Sequence, residues 1–86
     1  MIIIGYRMNI AYIINEYLEA LGWKGLTVTE SINPTKMRET WTVYANKRKI
    51  GEFQTEINES NNIRSYVANT AIDMLAGYET KYGKVL

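Results

Sequence analysis

Histidine and cysteine are absent from this 86-residue chain. Without histidine it lacks the usual general base and a common metal ligand. Without cysteine it has no nucleophilic thiol, no disulfide and no zinc site of the cysteine/histidine type. The six glycines are scattered, so no phosphate-cradling loop is present. Carboxylate chemistry is left with nine acids. The closest set, Glu52 and Glu56, falls on one exposed strand face and reads as solvated surface. The composition thus predicts a protein that is not an enzyme, with no metal and no cofactor.

Long apolar runs are missing too. No stretch approaches the ~20 apolar residues of a membrane span. Met1 to Met8 is apolar, but it lacks a charged leader and Arg7 interrupts it, which argues against a secretory signal. The expectation is a cytoplasmic protein, with residues 1–8 flexible or forming an extra edge segment. An excess of one charge is also lacking: ten basic against nine acidic residues leave a net charge of +1. That suits neither a basic nucleic-acid wrapper nor an acidic mimic of DNA, so any electrostatic steering must come from a local patch.

What is present is core-forming material, at 47% hydrophobic residues, in a length suited to one domain over 1–86. Ile10, Ile13, Ile14, Tyr17, Leu18 and Leu21 recur at the spacing of one helix face. Asn9 is placed to cap that helix and Gly22 to end it. Leu26 to Ile32 alternates, with Glu30 on the apolar side near an edge. Asn33-Pro34-Thr35-Lys36 is a loop, because Pro34 fixes φ and gives up a donor. Thr40 to Asn46 alternates with Trp41, Val43 and Ala45 inward, and Asn46-Lys47-Arg48-Lys49 predicts a hairpin connection. A third strand from about Ile50 to Ile57 turns Phe53, Thr55 and Ile57 inward and Glu52, Gln54 and Glu56 outward.

After a loop at Asn58 to Asn62, with Ser60 as cap, a last helix buries Ile63, Val67, Ala71, Met74 or Leu75, and Tyr78. Gly83 ends it, and residues 84–86 are expected to fray. Each strand has one apolar and one polar face, so the sheet is antiparallel and covered on one side. The predicted fold class is α+β: a two-layer αβββα sandwich, three antiparallel strands with both helices packed on one face.

Three surface groups are candidates for binding a partner or phosphate. The hairpin tip carries Lys47, Arg48 and Lys49, three adjacent cations suited to phosphates or an acidic protein face, or simply to a soluble turn. Lys36 and Arg38 follow the first strand. Arg64, with Asn61 and Asn62 at the start of the last helix, would join them in a mild anion-binding surface. The third group is aromatic: Tyr12, Tyr44, Tyr66 and Tyr82 do not all fit the inward stripes, and exposed tyrosine is enriched where proteins touch. The polar strand faces lack paired aromatics and do not form a base-stacking platform.

The element order resembles that of a double-stranded-RNA-binding domain over about Asn9 to Leu75. Asn15-Glu16-Tyr17-Leu18-Glu19-Ala20-Leu21-Gly22 is similar to the family's first helix and its ending. Asn33-Pro34-Thr35-Lys36 falls where the family has its Gly-Pro-x-His loop, which enters the minor groove. Thr40 to Tyr44 and Lys49-Ile50-Gly51-Glu52 resemble the second strand and its hairpin. Ser60-Asn61-Asn62 stands where the family carries Ser-Lys-Lys.

The resemblance implies a duplex-binding scaffold, with the loop histidine replaced by Lys36 and the phosphate-holding lysine pair by Asn61 and Asn62. Losing cations cuts duplex affinity, since the phosphate contribution dominates it. The functional expectation is therefore a small binding protein with a protein partner. It would be an inhibitor or adaptor of the phage or mobile-element type (anti-CRISPR-like), docking on a nucleic-acid-processing host protein. The alternative is a duplex-binding module that uses Lys36, Arg38, Asn61, Asn62 and Arg64.

Overall fold

A computed structural model describes residues 10–56 and 62–86. Helix α1 spans Ile10–Ala20, strands β1, β2 and β3 span Leu26–Asn33, Arg38–Ala45 and Arg48–Glu56, and helix α2 spans Ile63–Tyr82. The sheet is antiparallel in the order β1-β2-β3. The chain is thus an α+β domain of the order the alternating and helical patterns imply. Asn9, Ile57, Ser60 and Asn61, like the segment 1–8, lie outside the described residues.

Alternation builds the inner sheet face. Leu26 and Val28 of β1 and Trp41, Val43 and Ala45 of β2 are buried together with Ile14 and Leu18 of α1. From α2 come Ile63, Val67, Ala68, Ala71 and Leu75. Among the described residues one charged side chain shares this interior: Glu39 is 0% exposed, in register between Ile32 and Thr55. Strand β2 begins two residues earlier than Thr40, the expected start. The same alternation that turns Trp41 inward therefore takes Glu39 with it.

Turn chemistry sets the ends of the elements. After α1, the Trp23 amide bonds to the Leu18 carbonyl and the Gly22 amide to that of Glu19, both at 2.9 Å. With Gly22 at φ 98° this is a Schellman ending, and half-buried Trp23 packs on the core beside Leu18. Between β2 and β3, Asn46 and Lys47 have φ of 51° and 71° while Ala45 pairs with Arg48. This is a two-residue type I′ hairpin, whose twist matches that of the strands. Arg48 and Lys49 are therefore strand residues rather than turn residues. A bulge at Ile50 follows, since Val43 pairs with Gly51 but Tyr44 with Lys49.

The expectation for the α1 stripe is corrected. Only part of the α1 stripe is buried: Ile13, Tyr17 and Leu21 are 36%, 47% and 51% exposed. The reason is how α1 is anchored. Asn15 and the start of the helix are tied to β1, so the inward arc centres on Ile14 and Leu18 and the next arc turns to water. Val85 and Leu86 pack on the core, and Glu79 Oε2 accepts both of their amides at 2.9 and 3.3 Å. Asn46 Nδ2 donates to the Val85 carbonyl at 2.7 Å.

Candidate functional site

Anchoring of α1 determines which surfaces remain for a partner. Asn15 Nδ2 donates to the Val28 carbonyl at 3.0 Å, and Asn15 Oδ1 accepts the Val28 amide at 2.8 Å. One side chain thereby occupies the open edge of β1 as a neighbouring strand would. Glu30 Oε1 accepts the Ala11 amide at 2.9 Å, placing a carboxylate at the positive end of α1. With Ala11 at Glu30 and Asn15 at Val28, α1 runs antiparallel to β1.

The exposed side of α1 then divides into two flanks. Toward α2, Ile13 and Tyr17 line a groove of about 290 Å³ together with Ile14, Arg64 and Ser65. Toward β1, Tyr12, Glu16 and Glu19 line a hollow of about 400 Å³ with Trp23, Lys24 and Thr27. The Glu16 carboxylate, hydrogen-bonded to Tyr12, holds its phenol above the usual range. Between Ile10 and Ala20 the helix carries Glu16 and Glu19 and no cation.

The sequence-predicted cations fall into two groups at opposite ends of the sheet. Arg38 stands between Asn33 and Glu56 in register, so Lys36, Arg38 and the start of α2 with Asn62 and Arg64 share one end. The Lys36 amide donates to Asn33 Oδ1 at 3.2 Å, which shapes the loop. Lys47, Arg48 and Lys49 lie at the other end, a strand length of about 25 Å away. Lys49 is engaged with Glu52 at 3.0 Å, and that carboxylate raises its pKa above the usual value. The hairpin tip therefore presents fewer uncommitted cations than its sequence implies.

The tyrosines separate likewise. Tyr12 is 64% exposed on α1. Tyr66 is exposed on the β3 side of α2, edge-on to Phe53 with ring centres 6.3 Å apart. Tyr44 is half-buried on the polar sheet face, and Tyr82 packs on Tyr78 at 4.7 Å. The residues that sequence reasoning missed are Ile13, Tyr17 and Leu21, which it assigned to the core. Spacing alone does not separate them from Ile14 and Leu18, which share the same stripe.

Among the described residues no group of three or more acids, histidines or cysteines is placed to hold a metal ion. None of the described helices is long and apolar enough to cross a membrane. No protein-family model, no curated protein and no solved structure matches this chain.

Proposed function

We propose that this chain is a non-catalytic docking module, an inhibitor or adaptor whose α1 side covers a basic surface on a nucleic-acid-processing protein. The observation that carries this reading is the exposure of Ile13, Tyr17 and Leu21 on one helix alongside Tyr12. Large apolar and tyrosine side chains gathered on one exposed helix are what a protein contact buries. The charge on the same helix sets the partner's chemistry. Glu16 and Glu19 on the β1 flank complement a basic channel, while Arg64 borders Ile13 and Tyr17 on the α2 flank. An 86-residue module of the phage or mobile-element type would act by occupying such a channel.

A duplex-binding reading comes second, favoured by one placement. Lys36, Arg38, Asn62 and Arg64 share an end of the molecule, where the double-stranded-RNA-binding resemblance would seat a duplex. Acidic α1 beside that end weakens it, since duplex affinity depends on cations meeting phosphates.

The experiment is capture of a purified bacterial nuclease or other nucleic-acid enzyme by wild type and by Tyr17→Glu, with duplex as competitor. Capture that duplex displaces and Tyr17→Glu abolishes supports docking. Retention of duplex by the chain alone, lost in Lys36→Glu/Arg64→Glu, supports the second reading and removes the first.

A further inference from the structure

The hollow on the β1 flank of α1 has a composition that the docking reading does not by itself explain. Its walls are aromatic and acidic: Tyr12 and half-buried Trp23, with Glu16 and Glu19. It is an open hollow of about 400 Å³, with room for the head of a long side chain. Asn15, which also lines it, is held in place by its two bonds to Val28. Among the described residues that line it, the two carboxylates stand against one cation, Lys24. An aromatic face attracts a cation through its quadrupole, and carboxylates at its edge give that cation hydrogen-bond acceptors. A planar guanidinium uses both at once: it stacks on a ring while its fork meets a carboxylate.

We propose that this hollow is a binding site for an arginine side chain of the partner protein, seated against Trp23 and Tyr12 and bonded to Glu16 and Glu19. The inference rests on the docking reading and names the group by which the basic partner is gripped. A basic channel that holds phosphates is rich in arginine for its bidentate geometry. An arginine taken into the hollow is one withdrawn from nucleic acid.

The test is an NMR titration of the whole chain with N-acetyl-arginine amide, following the indole Nε1–H of Trp23. N-acetyl-citrulline amide, which has the same shape without the charge, is the comparison. Trp41 is 0% exposed and its indole donates to Thr55 Oγ1 at 3.1 Å, so its signal serves as an internal control. The expected result is a saturable shift of Trp23 with arginine, none with citrulline, and a still Trp41. Glu16→Gln/Glu19→Gln should weaken binding about fivefold, as two solvent-exposed charge contacts warrant. Lys24→Ala should tighten it.

Both glutamates are exposed, so a dispersed spectrum of the double variant shows that its loss is local. No saturable Trp23 shift, an equal response to citrulline, or undiminished binding by the double variant would overturn the site. Saturation by arginine with no enzyme captured would uphold the site and sink the docking reading alone. Enzyme capture without arginine saturation would do the reverse.

Discussion

Asn15 and Val28 are joined by two hydrogen bonds, one to each backbone polar group of Val28, at 3.0 and 2.8 Å. The pairing aims α1 and closes part of the β1 edge at the same time. With Val28 pointing away from β2, the register sends the Val43 backbone toward β3, as antiparallel alternation requires. The backbone polar groups of Glu52, Gln54 and Glu56 then lie along the outer edge of the sheet.

Asn15→Ala should therefore cost about 1–3 kcal/mol, because two part-buried backbone groups lose their partners. Asn15→Asp keeps the acceptor for the Val28 amide but sets a carboxylate oxygen against the Val28 carbonyl, so it too should be less stable than wild type. Urea unfolding of wild type and the two variants checks this. Unchanged stability in Asn15→Ala would show that water replaces the amide at no cost.

Much of this frame is legible in the sequence. Alternation at Leu26 and Val28, then at Trp41, Val43 and Ala45, identifies the inner face. Gly22 and Gly83 mark the helix ends. What periodicity does not reveal is the width of the buried arc. Ile13 and Tyr17 keep the correct spacing yet face water, because a tie between Asn15 and β1 turns the helix. That tie joins residues thirteen apart and leaves no trace in the pattern. Glu39 was hidden by the two-residue shift in the start of β2. The bulge at Ile50 was hidden because Lys49-Ile50-Gly51 reads equally well as uninterrupted strand. For the site, the grouping of Lys36, Arg38 and Arg64 apart from Lys47 to Lys49 was legible, whereas the exposure of Ile13, Tyr17 and Leu21 was not.

Glycine substitutions at two packed positions should differ sharply. Gly25 has φ 90°, and a Cβ there would stand 2.5 Å from Asn46 Oδ1 and 2.9 Å from Leu86 Cδ2. Asn46 is fixed by its bond to Val85, so Gly25→Ala combines backbone strain with a rigid clash. It should cost about 2 kcal/mol or more, by thermal or urea unfolding. A Cβ at Gly51 meets only the terminal methyl of Met74, which can rotate away. Gly51→Ala should cost less than half as much.

Lys47 holds a left-handed conformation at φ 71° in the hairpin. That conformation costs a side-chain-bearing residue about 1–2 kcal/mol. Lys47→Gly relieves it and gives the Asn-Gly pair that type I′ turns favour, offset by a freer unfolded chain. A net gain of about 0.5–1 kcal/mol in the midpoint stability is expected, with the fold unchanged. A loss would place the turn in another conformation.

The central claim is that the exposed side of α1 is a protein-contact surface, and Tyr17→Glu tests it most directly. Tyr17 is 47% exposed, so its replacement should leave unfolding free energy within about 0.5 kcal/mol of wild type. Affinity for a captured nucleic-acid enzyme, measured by calorimetry, should fall at least about thirtyfold, as loss of a central aromatic anchor does. A variant that is equally stable and binds that enzyme as tightly as wild type would contradict the account.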